Sequence, residues 1–256
     1  MAAPAPSSPQ HDSSSSVSLI AHHAFQEAQK LADAGFDGIM FENMHDVPYI
    51  RQPGSEITAA MSVICATVIQ HLRSRNFDKL VFGAQVLAAA NQQAIAVATA
   101  ADLDFVRCEG FVFGHVADEG YVDGCAGPLL RYRKQIGADN VAILADIKKK
   151  HSSHAITSDL NLVDTAKAAD FFLSDGVIVT GTSTGQPADT TELDALLSSL
   201  PNLPTLVGSG ITCENIDKYW NATGLIVGTD LKQNGDWRND IDVDRVKKLM
   251  KRVHEL

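Results

Sequence analysis

FDGIMFEN, residues 36–43, is the stretch on which the reading of this chain turns. Its apolar residues Ile39, Met40 and Phe41 run together instead of alternating with polar ones, which is the pattern of a strand covered on both faces. Gly35 stands just before it, placed to cap a helix over Val17–Ala34 whose Leu19, Ile20, Ala24, Ala28, Leu31 and Ala32 recur at the helical period. After it come Glu42 and Asn43, a polar insert His45–Ser55 and a helical stretch Glu56–Arg73. The same order of apolar strand, polar end and helix recurs down the chain. The further strands are Lys79–Leu87, Asp104–Glu109, Val141–Ile147, Gly176–Thr180, Thr205–Val207 and Leu225–Val227. The helices that follow them are Asn91–Ala101, Leu129–Ile136, Leu160–Leu173, Thr191–Leu200, Thr212–Tyr219 and Val243–Val253.

Buried strands alternating with helices predict an α/β protein with a parallel sheet. Long, polar strand-to-helix loops set against short return loops favour a TIM (β/α)8-type barrel over an open doubly wound sheet. Seven strands are evident and the first is absent or degenerate, because MAAPAPSSPQHDSSSS (residues 1–16) is all that precedes Val17. Its proline and serine content predicts a disordered tail, with 17–256 forming one barrel domain. Eight strands set the tilt and stagger that close such a barrel, and losing one exposes two strand edges. The chain is therefore expected to melt below a relative that keeps the strand, and equal melting temperatures would contradict this.

At 256 residues, 45% hydrophobic and 6% aromatic, the chain holds enough apolar side chains for one sizeable core. A net charge of −10 disfavours nucleic acid, whose phosphates need a basic footprint, and an anionic membrane surface. No apolar run reaches the roughly 20 residues of a bilayer span, so no integral membrane segment is expected. Cys65, Cys108, Cys125 and Cys213 show no CxxC spacing and read as free thiols in a reducing compartment. With no apolar leader and no Lys or Arg before Lys30, the expected location is the cytoplasm. No motif calls for a cofactor or a metal, and a homo-oligomer is left open.

The candidate site residues lie at strand ends. Gly208-Ser209-Gly210 closes one strand and leads toward a helix expected to be N-capped by Thr212, and Gly228-Thr229 closes the next. In barrels these last two loops commonly hold a phosphate, because glycines admit backbone N–H groups and a helix N-terminus favours an anion. The alternative is that Gly208 and Gly210 only permit a tight turn. Glu42, with Asn43 and Asp46, offers an acid–base group or a substrate contact at a barrel mouth. Asp146 and Lys148 are two apart and share a face if their strand continues, so each would shift the other's pKa. Glu109 is a further inward carboxylate, with Arg107 as its expected ion partner. Thr182 and Thr184 offer hydroxyls to a substrate, or simply form a turn. His151 and His154 read as exposed. There is no GxSxG, no Walker lysine and no Rossmann GxGxxG.

Taken together, these residues resemble the BtpA/SgcQ family of the ribulose-phosphate-binding barrel group. The likeness covers roughly Val17 to Arg245. It runs through FENMHDVPY, Arg107-Cys108-Glu109-Gly110, Asp118-Glu119-Gly120 and DIKKKH from Asp146 to His151. Thr180-Gly181 with Thr184-Gly185, GSGIT with Glu214-Asn215, and Gly228-Thr229 with Lys232 and Gly235 complete it. The resemblance implies a TIM-type barrel and a phosphorylated, sugar-like or nucleotide-like small ligand, with catalysis open. It also implies one alternative, a non-catalytic assembly factor of the photosystem I biogenesis type. The residues themselves leave a third reading, a metal-dependent hydrolase using Glu42, Asp46 and Asp146.

Overall fold

The computed structural model describes residues 7–12, 15–181 and 186–256; residues 1–6 and 13–14 of the expected tail, and Thr182 and Thr184, lie outside them. The chain divides into two compact units, one reaching to Val106 with Arg133–Val141 added, the other made of Arg107–Tyr132 and Ala142–Leu256.

The first unit opens with α1 (Val17–Ala34), where the Ser16 side chain accepts the Leu19 N–H at 3.2 Å and Gly35, at φ 90°, ends the helix in the left-handed region. β1 (Gly38–Glu42), α2 (Ser55–Arg73), β2 (Val81–Gln85), α3 (Asn91–Ala101) and β3 (Phe105–Cys108) follow, the last two residues of β3 belonging to the second unit. β1 pairs in parallel with β2, setting Glu42 opposite Gln85, and β2 pairs with β3. α2 is long and apolar enough to cross a membrane by length and composition. It buries Ile57, Ala60, Met61, Ile64, Cys65, Val68, Ile69 and Leu72, the face of a core helix.

The second unit continues with a hairpin, β4 (His115–Ala117) and β5 (Gly120–Val122), inside a segment that sequence treats as loop. Then come α4 (Ala126–Gln135), whose last three residues belong to the first unit, β6 (Ala142–Ile147), β7 (Ser152–Ser153), α5 (Leu162–Phe171), β8 (Gly176–Thr180), α6 (Thr190–Ser199), β9 (Thr205–Gly208), β10 (Gly224–Ile226) and α7 (Val243–His254). β7 adds a third strand to the hairpin through β4, while β6, β8, β9 and β10 lie side by side in that order, all parallel. Among the described residues seven parallel strands follow α1 and none precedes it.

One expected helix is not there. Thr212–Tyr219 forms a turn and then a short 3-10 segment, Ile216–Tyr219. The Asn215 side chain takes the Thr212 N–H at its Oδ1 (2.8 Å) and donates from Nδ2 to the Gly210 carbonyl (2.8 Å), and the Thr212 hydroxyl accepts the Glu214 N–H (3.2 Å). Side chains thus occupy amides that a helix N-terminus would have presented to a ligand.

At the start of α5 the capping box is complete. Asn161 Oδ1 accepts the Asp164 N–H at 2.8 Å, and the Asp164 carboxylate accepts the Asn161 N–H at 3.3 Å. Replacing Asn161 with alanine should lower stability by about 1 kcal/mol in denaturant unfolding, with the m-value unchanged.

Candidate functional site

Four ionisable side chains meet in the second unit where β3 and β6 end. Arg107 grips Asp146 with two bonds, Nε at 2.9 Å and an Nη at 2.8 Å, both to Oδ2. Lys149 Nζ lies 3.2 Å from Glu109 Oε2. None of the four is more than 8% exposed, so they are charges removed from water and matched in pairs. Both pairings correct the sequence expectation. Arg107 was expected to hold Glu109 and Lys148 to hold Asp146. Instead β6 ends at Ile147 and Lys148 turns into the left-handed region at φ 46°. That single turn breaks the strand alternation, so Lys149 takes the place at Glu109 and Lys148 stays half-buried.

Among the described residues two buried polar atoms beside these pairs have no hydrogen-bond partner: Asp146 Oδ1 and His115 Nε2. Burial raises the Asp146 carboxyl above the usual carboxylate range, with Arg107 opposing the rise. His115, 5% exposed, is lowered to about 4 by burial and then by the nearby charges of Lys149 and His154, with Asp146 opposing. Its ring stands 5.3 Å from that of His154, whose Nε2 lies 3.0 Å from the Lys149 carbonyl. Gly110, His115, Asp146, Lys148, Lys149 and His154 line one recess. A neutral imidazole and a carboxyl of raised pKa thus stand together at one opening, where perturbed ionisable groups mark a candidate site.

The two glycine turns leave adjacent strands, since Gly208 sits opposite Ile226 in the β9–β10 pairing. Ser209 and Gly210 are both left-handed, at φ 68° and 65°, and a Cβ on Gly210 would stand 2.3 Å from the Gln186 carbonyl carbon. Glycine there is required by the turn itself. At Gly228 an added Cβ meets nothing within 4 Å. Among the described residues Ser209 Oγ is buried without a hydrogen-bond partner.

Glu42, Asn43 and Asp46 belong to the first unit. Asn43, 3% exposed, donates to Asp46 Oδ2 at 2.9 Å and accepts the Leu87 N–H at 2.8 Å. It therefore ties the end of β1 to the residues following β2. Glu42 ends β1, half-buried. Among the described residues no group of three His, Cys, Asp or Glu side chains is placed to hold a metal ion.

Residues 2–255 match the BtpA family. The chain belongs to that family. A Caenorhabditis elegans relative, named as uncharacterized and mitochondrial, is 46% identical over 241 residues, 94% of this chain and 86% of its own. The photosystem I biogenesis protein BtpA of Synechocystis is 32% identical, covering 93% of this chain and 81% of that protein. Among solved structures, a phosphoribosyl anthranilate isomerase in complex with a reduced 1-(o-carboxyphenylamino)-1-deoxyribulose 5-phosphate superposes with a TM-score of 0.54 at 13% identity, over 91% of this chain and 95% of that one. The BtpA-family chain thus has the α/β architecture of TIM-type barrel proteins.

In this BtpA-family chain, the site residues that sequence reading missed are Lys149, His115 and the true partner of Arg107. β3 ends at Cys108, so the strand spacing behind the expected Arg107–Glu109 pair does not reach Glu109. His115 was findable through its hairpin: Asp118-Glu119-Gly120, between two short runs containing Val116 and Val122, is a turn signal.

Proposed function

We propose that this BtpA-family protein binds a phosphorylated small molecule, a sugar phosphate or nucleotide-like compound, and performs acid–base chemistry on it in the recess at the ends of β3 and β6. The observation that supports this most is the pair of buried, unpartnered atoms Asp146 Oδ1 and His115 Nε2. Buried polar atoms are nearly always satisfied, and those that are not call for an explanation such as a catalytic role. In this reading a substrate hydroxyl bonds Asp146 Oδ1, and Asp146 takes and returns the proton while Arg107 holds the carboxylate in place. His115 serves as a neutral hydrogen-bonding group, and Lys148, half-buried in the lining, meets negative charge that develops on the substrate. The backbone N–H groups of Ser209, Gly210, Gly228 and Thr229, with Gly208 giving them access, hold the phosphate. Glu109 with Lys149 keeps the floor of the recess charge-matched.

A thermal-shift panel of ribose and ribulose phosphates, nucleotides and inorganic phosphate tests this. A compound at a hundredfold excess over its Kd should stabilise the folded protein by about 2.7 kcal/mol. Gly228→Asp, whose side chain enters open space, should keep the ligand-free melting temperature and lose that gain. A panel in which nothing moves the melt contradicts the reading.

A second reading is an assembly factor without catalysis. Phe171 and Leu173, 80% and 69% exposed at the end of α5, favour it, as such patches mark contact with other proteins. For location, the free cysteines support a reducing compartment, and the name of the worm relative extends the choice to mitochondria. Imaging of the tagged full chain decides between the two.

A further inference from the structure

Beside the recess lies a feature that the acid–base reading does not use. The sulfur of Cys108, fully buried in β3 between Arg107 and Glu109, stands 3.9 Å from the sulfur of Cys125. Cys125 is partly exposed. The backbone fixes this approach independently of the side chains: the Cys125 N–H donates to the Gly110 carbonyl at 3.0 Å, and the Ala126 N–H to the Phe111 carbonyl at 2.9 Å. The Cys125 carbonyl in turn accepts the Leu129 N–H at 2.9 Å, which puts this residue at the start of α4, the helix end where negative charge is favoured.

We infer that Cys108 and Cys125 form a reversible disulfide under peroxide, making this pair a redox modification site on the loop that frames the recess. The chemistry balances without help from a ligand. A hydroperoxide oxidises the Cys125 thiol to a sulfenic acid and, when it is hydrogen peroxide, leaves as water. The Cys108 sulfur attacks the Cys125 sulfur, the S–O bond breaks, and the departing hydroxide takes the Cys108 proton as a second water. Burial raises the Cys108 thiol well above its ordinary range, so it stays protonated and shielded until the sulfenic acid forms next to it. Bringing the sulfurs from contact to bonding distance closes the gap by roughly 1.9 Å, a movement that side-chain rotation and a small shift of Gly124–Ala126 supply. Gly110 both lines the recess and holds the Cys125 amide, so bond formation acts directly on the recess wall.

The sequence makes the test simple, because no Lys or Arg lies between Arg107 and Arg131 and one tryptic peptide, Cys108–Arg131, carries both thiols. The folded full chain is treated with hydrogen peroxide, denatured in iodoacetamide and mapped by mass spectrometry. The expected product is that peptide lighter by two hydrogens and unalkylated, restored by dithiothreitol, while Cys65 and Cys213 remain alkylated. Cys65→Ala should leave the bond intact. Cys108→Ala should instead accumulate a Cys125 sulfenic acid that dimedone captures. A doubly alkylated 108–131 peptide after peroxide, or a Cys125 sulfinic acid beside an alkylated Cys108, overturns the inference.

Discussion

Arg107→Met should destabilise the protein by about 3–5 kcal/mol, the loss typical when one partner of a buried ion pair is removed. The magnitude follows from where Asp146 sits: its side chain is 1% exposed, Oδ2 is held by both Arg107 bonds, and Oδ1 already has no partner. Without the guanidinium that carboxylate must either stay charged in an apolar setting or take up a proton, and both are unfavourable. The paired change Arg107→Met with Asp146→Leu should recover most of the loss, because matched apolar side chains dispense with desolvating two ions. Denaturant unfolding of the two variants and the parent measures both values. A single variant within about 0.5 kcal/mol of the parent, the range of ordinary surface changes, would show that the pair is not buried in solution.

His115 should make the fold acid-sensitive. Its folded-state pKa of about 4 lies below the ordinary value of 6.5, so the unfolded chain binds its proton first. The neutral imidazole therefore contributes fully above pH 6.5, and that contribution is lost as the pH falls from 6.5 toward 4, by up to about 3 kcal/mol. Asp146 works the other way. Its raised pKa means that the folded state takes the proton first, so this carboxyl alone would gain stability on acidification. Lys149 and His154 face the same ring and both lower its pKa. His115→Phe removes the titrating ring, so its stability should fall less between pH 6.5 and 4 than that of the parent. Parallel pH curves for the two proteins would place His115 in water.

The strand ladder was legible because each strand is a short, mainly apolar run set between helical stretches, and that pattern needs no tertiary information. GVIVT reads as Gly176–Thr180 and folds as β8 over those same residues. The two turns after β9 and β10 were visible for the same reason, whereas the helix expected after the first of them was not formed. Asn215 looks like any helix-compatible polar residue until its side chain is seen holding both Thr212 and Gly210. The charged cluster was half legible. Asp146 and Glu109 could be placed inward by alternation, but their partners depended on one left-handed residue, Lys148, and a lysine carries no signal for positive φ. The hairpin that carries His115 left its signal in Asp118-Glu119-Gly120, whereas the pairing of β4 with β7 lies beyond the reach of local pattern.

The most direct measurement is a crystal structure of the protein with the phosphorylated compound that shifts its melting temperature most. The proposed chemistry predicts the phosphate at the backbone N–H groups of Ser209, Gly210, Gly228 and Thr229, and a hydroxyl of the same molecule on Asp146 Oδ1. A ligand bound elsewhere, with Asp146 Oδ1 and His115 Nε2 still unpartnered, would contradict it.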